Sequence, residues 1–465
     1  MNRRRWLVLV LLASGIFYAL VWSDAPWMVS DSAGYLETAA DLRDLRLDAL
    51  HDRTPGYPLI LLATGASQTP ARLLFIAQLL MIVASVFLLA GLLERAAVRK
   101  FLIAGFVILA LAPSRMAPAA YVLTECWTQF LLVGGLCAWM AWFDRRRTVW
   151  LLAWGVAAGL AAFTRPAYAL LAVAWLPIAI LLERLVTSQR LPKRIALVYT
   201  LAPTLLLLGG LCLHNQQRFG YAGPSPLFGF NLSTRTLRVL ERLPDEHATI
   251  REILIRHRDE DLVAPHEDHL ARMFIWGVAR EDLEAATGMS QAELSKRMAK
   301  LNLLLIRKAP LEYGIEVGQA MVAYWFPWLP AAGNLGSRGL QLLWSLLHFG
   351  TIAVFFAVVL MMVAVGCVVV TVPQLRAWVG AGMQVPQQRA VTGAVLALVA
   401  IFYTMLVSCV VEIGTPRYRG PTDLLILFVT VLGVELWSQW RRRANTIDAT
   451  MRLSRLPSPA QRAGA

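Results

Sequence analysis

Six side chains in this sequence are of types that can do chemistry together: Asp31, Arg53, Glu125, Arg165, Arg417 and Tyr418. They are spread over most of the chain, yet each stands at the edge of an apolar run, and the loop charges put those edges on one side of a membrane. One or two carboxylates beside several arginines at such a boundary suit a substrate whose anionic headgroup sits at that depth while its tail stays in lipid. A guanidinium fork holds a phosphate through two parallel hydrogen bonds and stabilises the charge that the phosphate gains as it leaves. A carboxylate accepts the proton of an attacking hydroxyl. A polyprenyl-phosphate-linked sugar has that form, and because phosphate leaves readily no separate general acid is required.

Each residue also has a plainer reading. Asp31, next to Ser30, can serve as the N-cap of the helix that follows. Arg165 in T-R-P can snorkel from a helix end, Arg417 and Arg419 can bind lipid headgroups, and Glu125 can simply pair with an arginine. His214, Asn215 and Arg218 fall in a loop. His247, His257, His266 and His269 lie in a polar region where the H-E-D-H spacing could hold zinc, but solvated helix polarity is the simpler account, and no metal site is assigned.

The elements that position these groups are membrane helices. The chain of 465 residues is 57% hydrophobic and 16% charged, with mean hydropathy +0.56, against about 25% charge for a soluble protein. Crossing the hydrocarbon takes ~20 apolar residues as a helix, and ten runs qualify: 6–22, 71–93, 101–113, 122–143, 148–163, 167–182, 195–213, 341–372, 390–411 and 421–440. The third, fifth and sixth are short. Arg3, Arg4 and Arg5 before the first run could open a signal peptide, but no cleavage site follows, and Trp22 and Trp27 read as interfacial anchors of a retained span.

Net charge is +14, which on a soluble chain would point to nucleic acid. Sorted by loop it does not. With the N-terminus inside, the inner segments hold 21 Lys or Arg and 4 acids, whereas 24–70 holds 3 basic and 7 acidic residues and 214–340 holds 15 of each. Positive charge retained inside orients the protein and implies no nucleic-acid partner. It also returns the C-terminal cluster Arg441, Arg442, Arg443 to the cytoplasm. The five cysteines lie in or beside apolar runs without C-x-x-C spacing, as packing residues.

Both outer segments exceed what a connector needs. In 24–70, Tyr35, Leu36, Ala39, Leu42, Leu45, Leu47 and Leu50 predict an amphipathic interfacial helix over 32–50, after which T-P-G-Y-P breaks the chain and an apolar run dips toward the membrane. Segment 214–340 predicts helices over 237–257, 267–285 and 290–308, the last capped by Ser290 and Glu293, and an aromatic belt at Tyr324, Trp325, Phe326, Pro327 and Trp328.

The order of the short motifs adds a resemblance. D-S-A-G-Y-L-E-T-A from Asp31, R-T-P-G-Y-P-L from Arg53, Y-V-L-T-E ending at Glu125, G-L-A-A-F-T-R-P around Arg165, R-F-G-Y from Arg218 and T-P-R-Y-R-G-P around Arg417 together resemble the GT-C glycosyltransferases. The nearest branch is that of bacterial relatives of dolichyl-phosphate-mannose protein mannosyltransferases and of lipid A aminoarabinose transferases. The resemblance implies an all-α polytopic fold and an inverting transfer of a sugar from a polyprenyl-phosphate donor, of undecaprenyl-phosphate type, on the outer face. It gives Asp31 the role of base or of orienting the acceptor. Arg53, Arg165, Arg417, Tyr418, Glu125, Tyr35, Tyr57 and Arg218 fall to donor and phosphate binding. Many members carry a second acid directly after the aspartate; here it is Ser32, which favours a single-carboxylate site and leaves a divalent metal an open question. No cofactor is required beyond the lipid-linked substrate.

The expected architecture is about ten transmembrane helices with interfacial helices in the first outer loop. It divides into an N-terminal membrane module 1–213 with the catalytic loop 24–70, an extracytoplasmic helical segment 214–340, a C-terminal membrane module 341–440 and a basic cytoplasmic tail 441–465. The expected setting is a bacterial inner membrane, both termini cytoplasmic and the active site outside, the acceptor being a protein, lipid A or another glycan. Two alternatives remain: an O-antigen ligase or polymerase acting on diphosphate-linked glycans, against which the first-loop aspartate motif argues, and a lipid-linked-sugar transporter, against which the scarcity of mid-span charge argues.

Overall fold

The computed structural model describes residues 3–46, 52–186, 193–263, 272–327, 338–371 and 383–454. Among these the protein is all-α, and the one β feature is an isolated parallel bridge between Trp27 and Tyr121. It is an integral, multi-pass membrane protein. Eight helices are long and apolar enough to cross a bilayer, nine if one bent pair counts as a single span.

The first half supplies α1 (Arg3–Val21), the short α2 (Ser32–Arg43) and α3 (Gly56–Ala63), then α4 (Arg72–Arg95) and α5 (Lys100–Ala110). A single turn, α6 (Pro113–Met116), precedes α7 (Glu125–Arg145), α8 (Val149–Thr164), α9 (Leu171–Val186) and α10 (Lys193–Phe219). All seven runs predicted in this half fall on helices, with two differences. The third is broken: Lys100–Ala110 and Pro113–Ala120 meet at 64°, because Pro113 has no amide hydrogen to donate and pushes Ala112 into extended backbone (φ −60°, ψ 142°). The fifth, α8, has 16 residues and rises only ~24 Å.

Small residues let α8 lie deep in the bundle. Gly155 and Gly159 are one turn apart on the face that meets α10, and a Cβ on Gly155 would stand 2.1 Å from the Tyr199 carbonyl oxygen. This is close backbone packing, which substitutes in lipid for the hydrophobic drive available in water. On the other side of α8, Trp154 meets Trp139 of α7 and Trp175 of α9 edge-on, at 5.5 and 5.1 Å between ring centroids. The C-terminal end of α8 is thereby fixed, and Arg165 leaves from it.

The helical segment expected outside, the outer layer, follows as α11 (Phe228–Ser233), α12 (Ala248–Val263), α13 (Val278–Thr287), α14 (Gln291–Lys308) and α15 (Pro310–Tyr324). It has its own apolar core, including Phe230, Leu240, Leu254, Leu283, Leu294, Met298 and Leu305. The helix predicted over 237–257 is divided at Pro244 into 3-10 turns and α12, and His266 and His269 lie outside the described residues. The expected cap of α14 is present: Ser290 Oγ accepts from the Glu293 amide, and Glu293 accepts from the Ser290 amide at 2.9 Å. Last come α16 (Arg338–Thr371), α17 (Val385–Val411), the 3-10 segment Pro416–Thr422 and α18 (Asp423–Ser454).

Three expectations are corrected. The helix predicted over 32–50 ends, as α2, at Arg43, and 47–51 lie outside the described residues. Trp22 is no interfacial anchor: it is buried and stacked on Tyr18 of α1, 4.8 Å between centroids. The aromatic run at 324–328 is only partly exposed: Tyr324 is fully buried and Trp325 packs on Phe355 and Phe356, whereas Phe326 is exposed; Trp328 lies outside the described residues.

Candidate active site

Five separate pieces of chain meet at one end of the bundle. Asp31 ends the loop after α1, Arg53 stands before α3, Glu125 opens α7, Arg165 follows α8, and Arg417 with Tyr418 lies in the 3-10 segment before α18. Local sequence makes each approach possible. The loop after α1 is tied to the segment before α7 by Trp27 N–H donating to Ala120 O at 2.7 Å and Val122 N–H donating to Trp27 O at 3.0 Å. Thr54 donates to the Thr164 carbonyl at 2.9 Å, and Gly56 is so close to the end of α8 that a Cβ would meet Thr164 Oγ1 at 2.5 Å.

Asp31 stands in the N-cap position of α2, but its backbone is helical (φ −73°, ψ −21°) and its side chain caps nothing. Both carboxylate oxygens instead accept from guanidiniums: Oδ1 from Arg53 Nη2 at 2.7 Å and Oδ2 from Arg417 Nη2. Burial pushes the Asp31 carboxyl up, but Arg417 and Arg53 outweigh it and hold it down at about 2. Arg417 also donates through Nε to Glu125 Oε1 at 2.9 Å, and Arg165 Nη1 lies 3.6 Å from the same oxygen. Glu125 is 1% exposed. Three guanidiniums thus face these two carboxylates, and Glu412 is a third carboxylate acting on Arg165.

Aromatic faces hold the arginines. The Arg53 guanidinium lies over the Tyr35 ring, 5.0 Å from its centroid, and Arg165 lies over Tyr418 at 5.2 Å. Tyr57 touches Tyr35 edge-on at 5.2 Å and donates to Gln78, which in turn donates to the carbonyls of Ala119 and Tyr121. Burial pushes the phenols of Tyr35 and Tyr57 up, so both remain protonated. Arg53 Nε, Glu125 Oε2 and Arg165 Nη1 are buried without a hydrogen-bond partner, Arg165 Nη1 standing 3.6 Å from Glu125 Oε1.

Two residues singled out in the sequence are not part of the cluster. Arg218 is exposed in the last turn of α10 and makes no ion pair with it. Arg419 is 1% exposed, donates to Asp423 at 2.7 Å and to the carbonyls of Tyr324 and Phe326, and so ties the 3-10 segment to the end of α15 rather than binding headgroups. Asn215 closes the loop after α10 by donating to Gly223 O at 2.7 Å.

Sequence reasoning missed Tyr168, Thr404 and Glu412, which with Arg165 and Tyr418 line a small adjoining cavity. Tyr168 is three residues beyond Arg165 and Glu412 three before Thr415, both just outside the motifs, while Thr404 lies inside α17 and had no signal in the sequence. Ser32, where a second acid would stand, accepts from Val29 N–H and donates to Val122 O, and guanidiniums occupy both Asp31 oxygens. Among the described residues, no three His, Cys, Asp or Glu side chains gather as metal ligands.

No family model matches the chain, and no curated protein matches it. Among solved structures it is similar to the archaeal oligosaccharyltransferase AglB from Archaeoglobus fulgidus in complex with an inhibitory peptide and a dolichol-phosphate, at 12% identity and a TM-score of 0.46, over 96% of this chain and 52% of that one. It is also similar to ArnT from Cupriavidus metallidurans bound to undecaprenyl phosphate, at 15% identity and a TM-score of 0.34, over 98% and 82%. The chain therefore spans about half the length of AglB.

Proposed function

We propose that this protein is a GT-C-type glycosyltransferase that moves a sugar from a polyprenyl-phosphate donor to a hydroxyl acceptor on the extracytoplasmic face of a bacterial inner membrane. The observation that carries the reading is the meeting of Asp31 with Arg53, Arg417, Glu125 and Arg165 at the end of the bundle opposite the basic segments. The ordered motifs support it independently.

In this reading the donor is a phosphodiester with one negative charge, and the buried guanidiniums are what it meets. Arg53, Arg165 and Arg417 bind its phosphate. The acceptor oxygen attacks the anomeric carbon, the carbon–oxygen bond to phosphate breaks with its electron pair going to phosphate, and the acceptor proton passes to Asp31. A single displacement inverts the anomeric centre. The charge that builds on the leaving phosphate is met by donors already in place.

In the resting arrangement Asp31 is a weak base, since both oxygens are engaged. A donor phosphate competes for Arg53 and Arg417, loosens their hold on the carboxylate and raises its basicity at the moment a base is needed. Purified protein supplied with an undecaprenyl-phosphate sugar and acceptor releases undecaprenyl phosphate, and Asp31→Asn abolishes that release while leaving folding intact. Full turnover by the Asn variant would remove Asp31 from the role of base.

A further inference from the structure

Arg53 is held from both sides by parts of the protein that are otherwise separate. On its C-terminal side, Thr54 is hydrogen-bonded to the end of α8 at 2.9 Å. On its N-terminal side, Asp52 is gripped by three different pieces of the outer layer. Gln291, the first residue of α14, donates through Nε2 to Asp52 Oδ1 at 2.5 Å, and Arg280 of α13 lies 3.4 Å from Oδ2. Ser225, in the loop before α11, donates to the Asp52 carbonyl at 2.7 Å.

The outer layer is built to keep this grip in place. The capping box of Ser290 and Glu293 fixes the N-terminus of α14 directly beside Gln291, an end whose unpaired amides favour a carboxylate nearby. Leu283 of α13 and Leu294 of α14 share the core of the layer, so Arg280 and Gln291 are carried by one packed unit. Apart from Arg53 itself, none of these residues touches Asp31, Glu125 or Arg417.

We infer that Asp52 is a positioning residue: through its contacts with Arg280 and Gln291, the outer helical layer sets where the Arg53 guanidinium stands against Asp31. This rests on the reading of the cluster as a donor-phosphate site. A one-residue lever is sensitive because Arg53 must meet both the Tyr35 face and Asp31 Oδ1 at once, and a shift at Asp52 moves the root of that side chain. The outer layer is therefore part of the site's rigidity as well as the surface that faces an acceptor.

The test is a double-mutant cycle on the full-length protein in detergent. Arg280→Ala with Gln291→Ala lowers the turnover number about tenfold in the otherwise unaltered protein, and lowers it no further in an Arg53→Ala background, because the lost anchor acts only through Arg53. Thermal unfolding identifies variants that simply fail to fold, and Gln291→Ala alone is the milder second variant. An effect of equal size in both backgrounds overturns the inference, as does unchanged turnover in the first. Hydrogen exchange of the 52–63 segment is read in parallel without any turnover. If the unaltered protein transfers no sugar, the functional reading fails while the exchange arm still decides the anchoring. Exchange that rises in 52–63 of the Arg280→Ala, Gln291→Ala protein supports it, and unchanged exchange there overturns it.

Discussion

Arg417 and Asp31, 386 residues apart in the chain, are directly hydrogen-bonded, and the same guanidinium donates to Glu125. One planar fork thus joins the two carboxylates of the site and ties the segment before α18 to the loop after α1. A lysine at this place is a point charge on a flexible stem and cannot engage both carboxylates in that geometry. Arg417→Lys is expected to lower turnover by about a hundredfold. It is also expected to destabilise the fold, because Glu125 loses its hydrogen-bonded partner while remaining buried. Initial rates and thermal unfolding on the same preparation check both, and a Lys variant with unimpaired turnover would show that the fork geometry is dispensable.

Asp31 has an effect on binding opposite in sign to its effect on rate. With the aspartate present, Arg53 and Arg417 are engaged; with Asp31→Asn, Arg53 loses its carboxylate partner in the cluster and Arg417 keeps only Glu125. The variant is expected to bind undecaprenyl phosphate about fivefold more tightly while failing to turn over. Titration of the lipid phosphate into each protein, followed by intrinsic tryptophan fluorescence or calorimetry, reads the difference. Weaker binding by the Asn variant would contradict the competition between phosphate and carboxylate for the same guanidiniums.

The pH dependence of stability follows from the same pair of contacts. The carboxyl of Asp31 is lowered in the folded protein from 3.8 to about 2. A depressed carboxyl stabilises the fold fully above its unfolded value, and that stability is lost as pH falls from near 3.8 through about 2. The amount is about 2 kcal/mol. Between pH 5 and 8, roughly the range where this carboxyl is ionised in both states, Asp31 contributes no slope. Melting temperatures of the original protein and of Asp31→Asn should therefore run parallel above about pH 5 and converge below about pH 4. Curves that stay parallel down to about pH 2 would contradict the guanidinium clamp.

Much of this site was legible because membrane topology is written in charge. Once the basic loops are assigned to one side, Asp31, Glu125, Arg165 and Arg417 must lie at the other, whatever their separation in sequence. What charge and span counting cannot give is direction around an axis. Arg218 is at the correct end of α10 but points to solvent, and Arg417 and Arg419, two residues apart in one 3-10 segment, go to different partners. Asp31 was ambiguous for the same reason, since an N-cap position and a cluster position look identical until the backbone angles show that the carboxylate does not turn back on its own helix. The break after α5 was not read from the sequence, where 101–113 counted as one run, although Pro113 stands at its end; the close approach of α8 and α10 depends on the glycines of one helix lying opposite the backbone of another.

That close approach gives the last prediction. The 16-residue α8 cannot rely on length to hold its place. It is held by backbone contact at Gly155 and Gly159 and by the tryptophans on its other side. A methyl group at Gly155 would fall 2.1 Å from the Tyr199 carbonyl oxygen, which belongs to the backbone of α10 and cannot rotate away. Gly155→Ala is therefore expected to push α8 from α10 and destabilise the protein by about 1–3 kcal/mol. Because Thr54 and Gly56 dock on the end of α8, the displacement also reaches Arg53 and Arg165, and turnover falls with stability. Gly91→Ala in α4 is the control: nothing lies within 4 Å of its Cβ position, so the variant is expected to unfold at or slightly above the original temperature. Equal melting temperatures for the Gly155→Ala and Gly91→Ala proteins would mean that α8 is held by something other than this glycine contact.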